Sequence, residues 1–400
     1  MNRPTVIIFC DHLLYLSETF IRAQAQSLRQ FSPVYAGSRR VAGLDLPEAT
    51  TYVINQGGAA GRIQEICFKL AGKAPTLIRR LRALDPALVH AHFGPDGLRA
   101  LPLSRQLGLP LIVTFHGSDA TAIAPQPNEV PYGHRRYLAR KKVLQDGAVK
   151  FLAVSEFIRR KLLEQHFAAD KVLVHYIGVD TRFFSPSAEP KPREAGPLVL
   201  FVGRLSERKG PEYLIRAMAR VQEEFPKASL VMVGDGPQRK QLEEQARASL
   251  KRYSFQGAQS PQQVREWMER ATVFSVPSVK AASGGEEAFG MVFAEAQAMG
   301  KPVVAFASGG VVEAVEHGCT GFLAPERDWR KLAEYLTVLL RDQALQHKFG
   351  MAGRERVLRL FNLEKQTSVL EKIYWQVTAE GIPFMRNLEV AGGRQICHES

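Results

Sequence analysis

Two glutamates, Glu287 and Glu295, stand eight positions apart in the stretch "SGGEEAFGMVFAEAQAMGKPVVAF". Carboxylates placed like this can favour a helix dipole, ligate a metal, move a proton, or accept hydrogen bonds from a hydroxylated ligand. Upstream, "GRLSERKGPEYLIRA" sets Arg204 and Lys209 in a loop before a helix expected to start near Pro211, where proline's missing N–H costs nothing. Two cations beside a helix N-terminus suit a diphosphate; two solvated loop charges are the alternative. In the first half, His116 and Asp119 in "TFHGSD" follow a strand pattern. His90 and His92 in "HAHFG" alternate at strand spacing and share one face. That pair could hold a metal, but no third ligand is indicated, and a structural role for both is the other reading.

Such residues need elements to position them. Strand patterns ("TVIIF", "ALVHAHF", "PLIVTFHG", "VKFLAVS", "KVLVHYI") alternate with helix-period stretches such as "ETFIRAQAQSLRQF", "PDGLRALPLSRQLG" and "YLARKKVLQ". Near-continuous apolar strands between helices predict a parallel sheet covered on both faces. The segment "SPSAEPKPREAGP", Ser185 to Pro197, breaks this rhythm and reads as a linker. The alternation then restarts, with helices expected at 211–225, 237–249 and 261–270, and helix throughout 328–380. The fold class is therefore α/β, with two doubly wound, Rossmann-like domains facing a cleft. The expected division is 1–190, then 191–365, a helix at 366–385 returning toward the first domain, and a tail at 386–400.

Ligands of open parallel sheets bind beyond the carboxyl ends of the strands, where these residues fall. The helix in the opening stretch should start at Gly290–Met291 and stop at Gly300. Glu287 then precedes it, Glu295 lies more than a turn inside, and the N–H groups of Gly290, Met291 and Val292 are among the unpaired first-turn donors. A phosphate bound to those donors would have a glutamate on either side reaching sugar hydroxyls. A capping acid and an exposed helix residue are the alternatives. Gly309 and Gly310 suggest a close approach of backbone to ligand. "VGDGPQRK" lacks the third glycine of a dinucleotide fingerprint, which removes support from a nicotinamide-dependent dehydrogenase.

The chain of 400 residues carries a net charge of +13. Residues 1–190 hold 24 Lys and Arg against 15 Asp and Glu, so the excess lies mainly in the first half and suggests an anionic partner there. Phe68 to Leu84 ("FKLAGKAPTLIRRLRAL") and His134 to Gln145 ("HRRYLARKKVLQ") mix Leu and Ile with clustered cations, as surface-binding helices do. Core-facing helices with a solvated basic side are the alternative. The basic runs lack interleaved aromatics, so nucleic acid is not expected. The four cysteines form no CxxC pair and no DxD motif is present, so neither a zinc site nor another metal is expected, and a reducing cytoplasm fits. The apolar run from Val6 to Cys10 is shorter than a signal-peptide core, and no stretch is apolar for long enough to span a membrane.

In this order, "GRLSERKG", "VGDGP", "EEAFGMVFAEAQAMGKPVVA" and "GGVVEAVEHGCTGFL" resemble the family-4 retaining glycosyltransferases of the GT-B fold, for which the spacing of Glu287 and Glu295 is a hallmark. "SETFI" (Ser17 to Ile21) and "FHGSD" look like bacterial members that build exopolysaccharide or lipopolysaccharide. The resemblance is strongest over 198–325. It implies a UDP- or GDP-sugar donor with no metal or other cofactor. The implied donor contacts are Gly203, Arg204, Lys209, Glu287, Ala288, Phe289, Gly290, Met291, Val292 and Glu295. Among these Arg204 and Lys209 would neutralise the diphosphate, Glu287 would bind the sugar, and Glu295 the ribose. Catalysis would rest on His116, Glu287, Arg204 and Lys209. Relatives carry a glycine-rich loop after the first strand, but here that place reads "CDHLLYLSETF", which makes Ser17, Glu18 and Thr19, with His116 and Asp119, the acceptor-side candidates. The implied acceptor is a lipid-linked glycolipid or an oligosaccharide of the cell envelope. The implied location is the cytoplasm, peripheral on the inner face of its membrane.

Two other readings predict different behaviour. A sugar-nucleotide 2-epimerase of the same fold would convert donor without acceptor. A non-catalytic membrane scaffold would have no use for four intact donor-site side chains. On the leading reading, Lys209→Ala and Glu287→Ala each abolish transfer and leave the fold intact.

Overall fold

The computed structural model describes residues 3–121, 132–187 and 196–380. Most of the Ser185–Pro197 linker and the 386–400 tail lie outside the described residues. Eight strands form the first sheet: β1 (Thr5–Phe9), β2 (His12–Leu13), β3 (Ser32–Arg40), β4 (Thr51–Asn55), β5 (Pro86–His92), β6 (Leu111–Phe115), β7 (Lys150–Ala153) and β8 (Val172–Val174). Their order is β2-β3-β1-β5-β6-β7-β8, with β4 on the outer side of β3, and every pairing is parallel. The second sheet comprises β9 (Leu198–Val202), β10 (Ser229–Val233), β11 (Tyr253–Gly257), β12 (Val273–Ser275), β13 (Val303–Phe306) and β14 (Gly321–Ala324). It runs β11-β10-β9-β12-β13-β14, again parallel throughout. The two Rossmann-like domains of the GT-B architecture are thus present as expected.

Period-two alternation divides the first sheet between two cores. Ile7 and Phe9 of β1 face a cluster with Leu77, Ile78, Leu81 and Leu101, while Val6 and Ile8 face the opposite way. That second face is covered by the helix Leu363–Glu380, which buries Leu370, Ile373, Tyr374 and Val377 against it. At about 1.5–3 kcal/mol for each fully buried large side chain, this contact holds the end of the chain on the first domain. The two crossings between domains pair with each other: Val179 N–H donates to Phe361 O (2.7 Å) and Leu363 N–H to Val179 O (2.9 Å).

Strand order reverses at two places, between β1 and β5 and between β9 and β12. Loops diverge there and leave a crevice at the carboxyl ends, which is where an open parallel sheet binds its ligand. The sequence reading missed β2, β3 and β4. β2 is only two residues long, and small or polar residues interrupt the apolar runs of the other two ("SPVYAGSRR" and "TYVIN"), although the middle of β3 is buried on both faces.

One expectation for the basic stretches is corrected. Phe68–Leu84 is two helices broken at Gly72, a left-handed residue (φ 68°). The second, Pro75–Arg82, turns Leu77, Ile78 and Leu81 into the core and leaves Pro75, Thr76 and its arginines outside. Its apolar face is therefore not available to a membrane. The exposed apolar residues are instead Ile63, Ile66 and Leu70 on the preceding helix, Gly58–Ala71.

Candidate active site

The loop after β9 is built to hold its cations rigidly. Leu205 is fully buried and its N–H donates to Asp235 O (2.9 Å), which anchors the middle of the loop. A single 3-10 turn, Glu207–Lys209, then delivers Lys209. Gly210 follows at φ 61°, and a Cβ there would lie 2.0 Å from Pro277 O, so only glycine lets this loop pack on the one after β12.

That packing brings Lys209 to Glu287. Lys209 Nζ lies 2.5 Å from Glu287 Oε2, with both side chains largely buried, and Ser278 Oγ donates to the same oxygen at 3.3 Å. Burial alone would push the Glu287 carboxyl up, but the Lys209 and Arg208 charges outweigh it and hold the carboxyl below its ordinary range. In this structure the two are therefore an ion pair. The reading of the sequence placed Lys209 on a phosphate and Glu287 on a sugar and did not anticipate their contact.

Gly290 (φ 80°) opens the helix Met291–Ala298, and Gly300 closes it in the left-handed region. Among the described residues, the N–H groups of Gly290, Met291 and Val292 donate to nothing. Glu295 sits one turn in and is half-buried, contrary to the exposed alternative. Burial pushes its carboxyl up to about 7, and Lys209 opposes that shift. Arg204 shares the Lys209 loop but is exposed, with no side-chain partner among the described residues. Gly309 and Gly310 do make a close approach, to the backbone of Glu287 and Ala288. A Cβ on either would strike Glu287 O (2.3 Å) or Ala288 O (1.9 Å), and Gly310 N–H donates to Glu287 O (2.8 Å).

The first domain meets this loop directly. Ser155 Oγ donates to Ala288 O (2.6 Å), and a Cβ on Gly117 would lie 3.1 Å from that of Ala288. Glu313 clasps the domains as well, accepting from the N–H groups of Glu156 (2.8 Å) and Phe157 (2.7 Å) at a helix N-terminus. Asp119 is buried and accepts from Gly94 N–H (3.0 Å), His116 N–H (3.1 Å) and Gly117 N–H (2.8 Å), so it fixes the loop that carries His116. Burial pushes its carboxyl up to about 6 against the pull of those donors.

His116 stacks on His92 and packs against the tilted rings of Phe20 and Phe93, with centroids 5.2, 4.9 and 4.7 Å away. Its Nε2 lies 3.0 Å from His92 Nδ1, while its buried Nδ1 has no partner. Burial pushes the imidazole down to about 3, so His116 is neutral. His90 is held between Tyr374 Oη (2.6 Å) and Thr114 Oγ1 (2.7 Å). Both nitrogens are occupied, and among the described residues no group of metal-ligating side chains is gathered anywhere.

At the other crevice, beyond β1 and β5, a cleft of about 460 Å³ is lined by Asp11, His12, Glu18, Arg39, Lys69, Asp96 and Arg99 together with Ser118 and Asp119. Glu18 is an anticipated acceptor-side residue found there; Ser17 is exposed, and neither it nor Thr19 lines the cleft. Asp11, Asp96, Arg99, Lys69, Arg208 and Ser278 were not singled out. The position of Asp11 and Asp96 just past strands was a usable signal. Lys69 lies in the basic stretch Phe68–Leu84, but nothing in that stretch pointed it to this cleft.

Two parallel-sheet domains meet at their carboxyl ends over a buried Lys–Glu pair, which is the GT-B architecture. The description "Glycosyl transferases group 1" matches residues 185–356, and "Glycosyltransferase Family 4" matches residues 31–183. The chain belongs to this glycosyltransferase family. It is 32% identical over 294 residues to the D-inositol 3-phosphate glycosyltransferase of Frankia alni, covering 67% of this chain and 69% of the relative. It is 28% identical over 383 residues to the phosphatidyl-myo-inositol mannosyltransferase of Mycobacterium leprae, covering 93% of each. Among solved structures, Anabaena HepE in complex with UDP and glucose superposes with a TM-score of 0.74 at 21% identity, covering 94% of this chain and all of the other.

Proposed function

We propose that the protein is a retaining, metal-independent glycosyltransferase that moves a sugar from a UDP- or GDP-sugar to a lipid-linked or oligosaccharide acceptor of the cell envelope. The observation that carries this reading is the buried Lys209–Glu287 pair beside three unpartnered helix N–H groups. A diphosphate brings two negative charges to this point. It takes Lys209 from Glu287, with Arg204 and Arg208 in reach of the same loop, and seats on the N–H groups of 290–292. Glu287 is then released to accept hydrogen bonds from the sugar hydroxyls, while Glu295 reaches the ribose. One group thus holds its partner until the substrate replaces it.

The chemistry follows from those charges. The bond between the anomeric carbon and the diphosphate oxygen breaks, and the electron pair leaves with the diphosphate, where Lys209 and the arginines stabilise it. The acceptor hydroxyl forms the new bond on the same face and gives its proton to a diphosphate oxygen. His116, neutral, orients the sugar and does not carry the proton. HepE's complex with UDP and glucose and the mannosyltransferase relative's lipid name support a nucleotide-sugar donor and a lipid-linked acceptor.

The protein acts at the inner face of the cytoplasmic membrane. Ile63, Ile66 and Leu70 fall on one face of their helix and are exposed, with Arg62, Lys73 and Arg79 also exposed nearby in sequence, a pairing that suits an anionic lipid surface. No helix among the described residues is long and apolar enough to cross a membrane. The test of function is a screen of UDP- and GDP-sugars by thermal shift, followed by lipid-linked acceptors with the donor that binds. If no nucleotide sugar raises the Tm, the reading fails.

A further inference from the structure

The cleft beyond β1 and β5 carries a charge balance opposite to that of the donor side. Arg99 donates to Asp96 (3.0 Å) and lies 3.5 Å from Asp11. Lys69 is 2.6 Å from Glu65 and 3.5 Å from Asp11, and Arg39 is 3.7 Å from Glu65. Every one of these cations is thus already answered by a carboxylate of the protein. Glu18 adds a fourth carboxylate that meets only a backbone donor, Tyr15 N–H at 2.9 Å. Across the interface Arg204, Arg208 and Lys209 stand against Glu287 and Glu295, and of the three cations only Lys209 is in contact with one of those carboxylates.

Position ties this cleft to the transfer point. Ser118 and Asp119 form part of its wall, and Gly117 and His116 of the same loop lie against Ala288 and Phe93. Phe93 itself is held at φ 71°, an outlier for a bulky residue, with its N–H on Thr114 O (2.8 Å). Strain kept at such a place is a mark of function, and here it turns an aromatic ring into the cleft's lining. The unpartnered oxygen of Glu18 and the aromatic wall of Phe93 and Tyr15 are what the cleft offers a ligand.

Given the glycosyltransferase reading, on which this rests, we propose that the cleft takes the uncharged, polyhydroxylated terminal sugar of the acceptor and disfavours a phosphate or carboxylate. Glu18 accepts from its hydroxyls, Phe93 packs on its apolar face, and among the described lining residues each Lys and Arg is already paired with a carboxylate. An anion there would face Glu18 and would have to displace Asp11 or Asp96 from Arg99.

The probes are the methyl glycosides of glucose, galactose and mannose and their 6-phosphates, each tested by saturation-transfer NMR with UDP in the same tube. Both wild-type protein and Glu18→Gln are measured. At least one neutral glycoside should receive saturation and its phosphate none, and Glu18→Gln should at least halve the glycoside signal while UDP is unchanged. Stronger signals from the phosphates, no signal from any glycoside, or a glycoside signal indifferent to Glu18→Gln would each overturn the proposal. If UDP too receives nothing, the donor-site reading falls with it; a UDP signal beside a preferred phosphate sinks only the inference about the cleft.

Discussion

Replacing Lys209 by alanine should do more than abolish transfer, because it strands the Glu287 carboxylate. The two side chains are 12% and 9% exposed, so water cannot take the place of the ammonium. A stranded buried carboxylate takes up a proton. Holding one at pH 7 on a group that ordinarily titrates near 4.5 costs about 2.5 pH units, or about 3.4 kcal/mol. Ser278 and the Arg208 field offset part of this, which leaves an expected loss of about 3 kcal/mol, at the low end of what breaking a buried pair costs. The same arithmetic at pH 5 leaves only about 1 kcal/mol. For a domain of this size, the Tm should fall by roughly 6–12 °C at pH 7 and by a third of that at pH 5. Scanning calorimetry of wild-type, Lys209→Ala, Glu287→Ala and the double variant at both pH values measures it. The double variant should recover most of the loss, since no charge is then stranded. A Lys209→Ala protein with wild-type Tm, or with the same deficit at both pH values, would refute the buried pair. The expectation from sequence that Lys209→Ala spares the fold is revised accordingly.

Other consequences follow from the same groups. Glu287→Ala frees Lys209, so UDP or GDP should bind it at least as tightly as wild-type by titration calorimetry, although transfer is lost. Glu295 is raised to about 7, so its cost to folding is absent below pH 4.5 and grows as pH rises through 7; Glu295→Gln should gain stability at pH 8 and not at pH 5. That gain is at most about 3 kcal/mol, and about 1–2 after discounting for the side chain's partial contact with water. His90, His92, His116 and His175 are all held down by burial, so the stability they lend is present above pH 6.5 and lost below it. Their protonation should appear in NMR only as the fold opens in acid. Binding to anionic vesicles should fall at high salt and with Ile66→Ser; pelleting that salt does not weaken would argue against an electrostatic anchor.

The architecture was legible because each central strand is a buried, near-continuous apolar run, as "TVIIF" and "LVLFV" are, bounded by turn residues. β3 and β4 were missed for the converse reason. The helix start at Gly290 and its stop at Gly300 could be read from glycine alone. What no local pattern could show is which distant groups would meet. Lys209 and Glu287 are 78 positions apart, and Arg29 and Gln30 meet Glu371 more than 340 positions away. Gly309 and Gly310 illustrate a subtler limit. The sequence marks a close backbone approach there, but only the fold shows that the approaching chain is Glu287–Ala288. Likewise, a net excess of cations in the first half suggested an anionic ligand, yet in the cleft each cation is already paired.

We propose that the donor site cleaves a nucleotide sugar with Lys209 neutralising the departing diphosphate. The measurement that reaches it most directly is release of nucleoside diphosphate from a panel of UDP- and GDP-sugars, in the presence of membrane glycolipid extract and excess EDTA. Release is expected from at least one donor with wild-type protein, undiminished by EDTA, and none with Lys209→Ala. Release that EDTA abolishes, or that continues at the wild-type rate in Lys209→Ala, would contradict it.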